Sequence, residues 1–265
     1  MPQLEHQRHY RELLDLAFCY VCGKRFLNGE TRNHDHIPAK ACFAARDRNF
    51  PLQLPTHIDC NSGHKLLDEK IGQVLKLKYA KGARGHNNRL RFRFFPPATS
   101  RGPIVAVTNV DIRGAVFQWI HGFHAALYKE PLEDGSRFAF ETPFPEARMN
   151  ATGGEQIGIR LAQHRVFVET IKVNRAARNV DFIESNNRKL RYECVWAESD
   201  NGPWICVFAL DLYEWSDLGD INHFPKRGCA GMYVMPHGTA PKGSSIATRL
   251  SLSIPNYRPL EPFAL

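Results

Sequence analysis

Cys19 and Cys22 are followed about 35 residues later by His57 and Cys60 at the same spacing, and nothing else in the 265-residue chain restricts its fold as tightly. Four soft donors in two such pairs suit one tetrahedral zinc ion. A centre of this kind staples two distant segments, so the chain between them must fold back on itself. Gly23, directly after the second cysteine, lets the first pair sit in a tight turn. A second donor set is open on spacing alone: Cys19, Cys22, Cys60 and His64, which would leave His57 free.

Seven cysteines are an odd number, and the paired ones have metal-ligand rather than disulfide spacing for a reducing compartment. Cys42, Cys194, Cys206 and Cys229 stand alone in apolar or Gly-rich surroundings and read as small buried hydrophobes. No run of 18 apolar residues is present, and the first 18 residues lack an uninterrupted apolar stretch and a cleavage site. The expectation is a cytoplasmic protein that does not span a membrane.

The formal charge of +8 is unevenly distributed. Residues 1–100 hold 17 Lys and Arg against 9 Asp and Glu, whereas residues 101–265 hold 18 of each. The whole excess lies in the half that carries the metal pattern. A basic segment of this kind favours a polyanion, most simply nucleic acid. Lys76, Lys78, Lys81, Arg84, Arg89, Arg91 and Arg93 follow one another with no intervening acid. Gly82, Gly85 and Asn87-Asn88 interrupt that run, which reads as a basic loop in contact with phosphates.

The patterning predicts an α+β chain in two parts. In the first, residues 1–98, a short helix over 3–17 precedes the zinc knuckle, and an extended piece over 31–37 stops at Pro38. Pro51 and Pro55 keep the following segment extended or looped. A helix over 62–79, capped by Asn61 or Ser62, buries Leu66, Leu67, Ile71, Val74, Leu75 and Leu77. A strand over 90–95 leads into the Pro-rich stretch 96–103, the best candidate for a linker. In the second part, residues 104–265, a strand over 104–110 precedes an amphipathic helix over 112–128 with Val116, Trp119, Ile120, Phe123 and Leu127 on one face. A helix is expected across 155–178, although its first part also reads as strand. Strands over 190–198 and 204–212 flank Asp200-Asn201-Gly202, an antiparallel hairpin signal, and a last strand lies near 246–254. The second part suggests no chemistry of its own.

The residues left over from the zinc pattern are those of a hydrolytic site. Cleaving a phosphodiester needs an activated water, a cation for the charge on the phosphorus oxygens, and cationic groups to hold the backbone. His36 can deprotonate water near neutral pH. Asp35 can hold a divalent ion such as Mg²⁺ or Mn²⁺ that neutralises the scissile oxygens. Asn61 and His64, three apart at a helix start, share a face and can complete that ion's protein ligands. Asp35 and His36 are neighbours on an extended segment and point to opposite faces, so both reach one site only where the strand ends.

The series Cys19-x2-Cys22, Asp35-His36-Ile37-Pro38 and Cys60-Asn61-x2-His64-Lys65 resembles the HNH endonucleases over about residues 18–75. The resemblance implies a small ββα-metal domain with a zinc knuckle. It gives His36 the role of general base, Asp35 that of metal ligand, and Asn61 that of a ligand or site residue. The longer string from His36 to Lys40, then Leu54 to His57, Cys60-Asn61 and Asp68-Glu69 is similar to a bacterial subgroup fused to an uncharacterised C-terminal domain, which implies a bacterial or phage setting. Two departures stand out. The third zinc position, usually Cys, is His57. The nearest middle Asn is Asn49, followed by Phe50-Pro51.

The expectation is therefore a metal-dependent endonuclease acting on double-stranded DNA, with a structural zinc and a catalytic Mg²⁺ or Mn²⁺. Two other readings remain open. One is a non-catalytic zinc module that binds nucleic acid, and the other is a ribonuclease using the same site.

Overall fold

The structure, a computed structural model, describes residues 2–49, 51–79, 90–95, 104–107, 109–141, 153–198, 203–212, 229–236 and 238–248. The chain is a mixed α+β fold. It begins with strand β1 (Gln3–Leu4), helix α1 (Gln7–Glu12) and a single 3₁₀ turn (Leu13–Asp15). The helix expected over 3–17 is therefore broken at both ends. Leu4 is drawn into a parallel pairing with a strand near residue 183, and the Tyr10 hydroxyl secures it by donating to the Leu4 carbonyl at 2.8 Å. Neither partner is visible in local periodicity.

Strands β2 (Arg32–His36) and β3 (Gln53–His57) pair antiparallel, with Asp35 opposite Leu54 and His36 opposite Gln53. Pro55 sits inside β3, which the sheet tolerates because β3 has β2 as its single strand neighbour. Strand β3 passes directly into helix α2 (Ile58–Tyr79), so the helix starts before the Asn61 or Ser62 cap expected for it. Ile71, Val74 and Leu75 are buried on α2 as expected and Leu67 is half-buried, but Leu66, at the edge of that face, is exposed, and the side chain of Leu77 lies outside the described residues. Gly72 is where α2 crosses the 3₁₀ turn at Lys40–Cys42: a Cβ there would lie 2.6 Å from the Ala41 carbonyl oxygen.

Strand β4 (Phe92–Phe95) pairs antiparallel with β5 (Ile104–Val107), Phe95 opposite Ile104. The stretch 96–103, expected as a linker, lies outside the described residues. Helix α3 (Ile112–Tyr128) matches its sequence span; the Asp111 side chain caps it by accepting from Gly114 N–H at 2.8 Å. Then come β6 (Arg137–Glu141), α4 (Gly153–Ala176), β7 (Asp181–Ser185), β8 (Leu190–Glu198), β9 (Trp204–Leu212) and β10 (Cys229–Val234). Strands β8 and β9 form the expected hairpin, with Cys194 opposite Phe208.

One six-stranded sheet orders these strands β1-β7-β8-β9-β10-β6, antiparallel except for β1 beside β7. Both faces are covered. Val195, Val207, Ala230 and Met232 pack under Phe167 and Ile171 of α4. Their neighbours Cys194, Trp196, Cys206, Phe208 and Tyr233 point the other way, into a core shared with α3. The same core takes in Leu13, Tyr20, Ile37, Phe43, Leu52, Leu54 and Ile71 from the first hundred residues. It therefore runs across the division expected at 98–104. Cys42, Cys194, Cys206 and Cys229 are buried, as their surroundings suggested. Among the described residues, no helix is long and apolar enough to cross a membrane.

Candidate metal centre and catalytic site

The knuckle forms because Gly23, at φ +70°, closes a turn in which its N–H donates to the Cys19 carbonyl at 2.9 Å. Cys19 N–H in turn donates to the Lys24 carbonyl at 2.9 Å. This turn points two thiols at the junction of β3 and α2, where His57 ends the strand and Cys60 lies in the first helical turn. The ligand atoms of Cys19, Cys22, His57 and Cys60 all lie within 4.8 Å of one another. Three sulfurs and one imidazole nitrogen fit a metal ion such as zinc. The donor set with His64 in place of His57 is not the one built.

The electrostatics of the four donors point the same way. Burial opposes ionisation of Cys19, yet hydrogen bonds from Thr56 and from the backbone of Cys22, His57 and Val21 bring its thiol down to about 7. Burial raises Cys22. Burial, together with the charges of Cys19 and Cys22, pushes Cys60 up to about 12. Three thiols this close ionise together only with a cation among them. His57 presents Nδ1 to this cluster, 3.3 Å from Cys22 Sγ and 3.9 Å from Cys60 Sγ. Its Nε2 lies 3.4 Å from Glu30 Oε1.

The remaining candidates fall on two faces of the β2–β3 hairpin. Asp35 is buried toward α2 and α3. Its Oδ2 accepts from the Tyr20 hydroxyl at 2.5 Å and from Gln118 Nε2, on α3, at 3.4 Å. Its Oδ1 accepts from His36 N–H at 2.8 Å. Burial raises the Asp35 carboxyl, against the hydrogen bonds from Tyr20 and His36 and the nearby His64. His64 is lowered by burial and partly restored by Asp35. Asp68, one turn beyond His64, is pushed up to about 7 by burial and by the Asp35 charge. The Gln118 Oε1 atom beside this group is buried without a hydrogen-bond partner.

His64 and Asp68 thus both feel the charge of Asp35. Among the described residues, however, only the Cys₃His cluster gathers three or more ligand atoms within 4.8 Å. Asn61 is half-buried in the first turn of α2. Asp68 was not expected as a site residue; its signal in the sequence is the four-residue step from His64, which puts both on one helix face.

His36 lies on the opposite face, half-buried. Gln53 Nε2 sits 2.5 Å from His36 Nε2. Burial lowers the ring's pKa to about 4, helped by the charges of Lys40 and Arg48. Arg48 is anchored by Nε, which donates to the Phe43 carbonyl at 3.1 Å. Burial and these two positive charges thus hold the ring's pKa well below its ordinary value. Lys40 and Arg48 were not expected at the site, since four and twelve residues separate them from His36.

The basic run falls mostly outside the described residues. Lys81, Arg84 and Arg89 lie outside them altogether, as do the side chains of Lys76, Lys78 and Arg93. Arg91 is exposed, and its backbone N–H donates to Asn109 Oδ1 at 2.8 Å. No protein-family model, curated protein or solved structure matches the chain.

Proposed function

We propose that the chain is a metal-dependent endonuclease that hydrolyses phosphodiester bonds of DNA, with His36 as general base. The observation that carries this reading is the His36 ring at the end of β2: half-buried, met at Nε2 by Gln53, and acted on by the positive charges of Lys40 and Arg48. A neutral imidazole takes a proton from water, and two cations beside it hold and neutralise a phosphate. Gln53 meets the ring at Nε2; with its amide turned so that the oxygen accepts from Nε2–H, Nδ1 keeps the lone pair that takes a proton from water. The Cys₃His centre, read as structural zinc, clamps the knuckle to the β3–α2 junction and so holds the hairpin that carries Asp35 and His36. Asp35 and His64, with Asn61 and Asp68 on the same helix as His64, are the residues that would hold a Mg²⁺ or Mn²⁺ ion; for it to stabilise charge on the scissile oxygens, the phosphate must pass round the end of β2, where His36 is the last residue. The basic residues from Lys76 to Arg93 would extend the grip on the backbone.

The test is incubation of the purified protein with supercoiled plasmid, with Mg²⁺, with Mn²⁺ and with chelator. Cation-dependent nicking, lowered about 10²–10⁴-fold in His36→Ala, is the expected result. One observation favours a second reading, a zinc module that binds nucleic acid without cutting it: both Asp35 oxygens are already engaged by Tyr20, Gln118 and the His36 backbone. Duplex binding with no cleavage under any cation would select that reading. Cleavage of RNA alone would make the same site that of a ribonuclease.

A further inference from the structure

His57 differs from the other three donors of the Cys₃His cluster in offering two possible ligand atoms. Only one can face the sulfurs, and the neutral ring must then carry its proton on the other. Nδ1 faces Cys22 and Cys60, at 3.3 and 3.9 Å, so the proton belongs on Nε2. The group that meets Nε2 is the Glu30 carboxylate, with Oε1 at 3.4 Å.

Glu30 is itself held in place. Its second oxygen, Oε2, accepts from Leu27 N–H at 2.8 Å, and its own N–H donates to the Leu27 carbonyl at 3.1 Å. Gly29, at φ +79°, allows that tight turn. The two side chains are sheltered, with 19% of His57 and 32% of Glu30 exposed, so water screens the contact only in part. The Phe26 ring lies edge-on to His57 at 4.9 Å and limits tilting of the imidazole. Arg32 caps the far side of Phe26 at 4.7 Å. Every element needed to orient one imidazole nitrogen at the sulfur cluster is therefore supplied by residues 26–32.

We infer that Glu30 is a positioning residue of the metal centre: it accepts the Nε2 proton of His57 and thereby presents Nδ1 as the fourth donor. The inference rests on the Cys₃His cluster being a metal centre and is independent of any nuclease activity. A carboxylate behind a ligating histidine fixes its tautomer and raises its basicity, and loss of such a partner typically costs about 10–100-fold in metal affinity.

The experiment measures zinc affinity of the full chain by competition with a chromogenic chelator, for wild type, Glu30→Ala, His57→Cys and the double variant. A thiolate at position 57 still completes a tetrahedral site but has no second nitrogen to orient. Glu30→Ala should weaken zinc binding about 10–100-fold in the His57 protein and leave it nearly unchanged in the His57→Cys protein. Equal losses in both backgrounds would show that Glu30 only braces the 27–30 turn, and would overturn the inference. Unchanged affinity in Glu30→Ala would overturn it as well. Wild-type protein that binds no zinc would instead overturn the metal centre itself. The Co²⁺-loaded proteins give a second readout. Sulfur-to-cobalt bands that keep their intensity in Glu30→Ala, at lower affinity, are expected. Their disappearance would mean that the knuckle has unfolded, and that Glu30 is structural.

Discussion

His36 makes the most direct residue-scale prediction. Its acid form appears only as pH falls to about 4. An ordinary histidine base would switch off near 6.5. With cation saturating, nicking rates measured from pH 8 down should therefore hold through pH 6 and lose the base only toward about 4. A midpoint near 6.5 would show a ring in free exchange with water, not one desolvated between Gln53, Lys40 and Arg48. Asp68 makes the complementary prediction. Its carboxyl is pushed up to about 7, so it is protonated below that pH and charged above it. A charged carboxylate binds a cation and a protonated one does not. The Mn²⁺ concentration for half-maximal nicking should thus rise as pH falls through about 7, and Asp68→Asn should flatten that dependence. The Cys₃His donors were legible in the sequence because ligand chemistry demands particular residue types at short spacings. Asp35 and His36 were legible as a pair. Their partners were not, because Tyr20, Gln53 and Gln118 reach them only through the fold.

At the scale of elements, the β2–β3 hairpin and α2 behave as one unit, since β3 continues into α2 without a loop and the metal donors straddle the junction. Cys22→Ala should abolish zinc binding and loosen this unit while leaving the six-stranded sheet intact. Metal analysis with hydrogen exchange checks both halves of that statement: loss of protection in residues 32–79, and retained protection in β8 and β9. Helix α3 and the β8–β9 hairpin were readable from local signals, namely an apolar face at helical spacing and an Asp-Asn-Gly turn. Strands β6, β7 and β10 were not. Strand β10 is buried on both faces at several positions, which removes the polar alternation that marks a strand; β7 does alternate, but two of its three buried residues, Asp181 and Ser185, are polar and mask the apolar pattern. Strand β3 was hidden by Pro55. The strand expected near 246–254 appears, among the described residues, as a single bridge from Ile246 to Trp196.

At the scale of the whole molecule, the sheet supports the candidate site from behind. Gln118 of α3 touches both Tyr20 and Asp35, and a Cβ at Gly122 would fall on the Ile37 side chain, next to His36. The turn between β7 and β8 reaches the same region from another side. Asn187 Nδ2 donates to the Arg46 carbonyl at 2.9 Å, Asn49 Nδ2 donates to Asn187 Oδ1 at 3.0 Å, and Asn186 N–H donates to the Asn49 carbonyl at 3.1 Å. These bonds hold the segment that carries Arg48. Asn187 adopts φ +54°, so Asn187→Gly removes its side-chain bonds without straining the backbone. Two lost hydrogen bonds are worth about 1–2 kcal/mol. The variant should keep its fold and zinc, yet cut plasmid several-fold more slowly, because Arg48 is no longer held beside His36. Wild-type rates in Asn187→Gly would show that the turn and the site are energetically separate.

The pairing of β1 with β7 also sets a timetable for biosynthesis. Gln3 and Leu4 leave the ribosome almost two hundred residues ahead of their partners Phe182 and Ile183. At about 5–20 residues per second, the leading strand waits roughly 10–40 s for its mate. The knuckle, the hairpin and α2 are complete long before then and can capture metal on the nascent chain. The sheet can close only once β10 has emerged. A chain that stalls midway therefore carries the assembled Cys₃His cluster on an unsealed apolar surface.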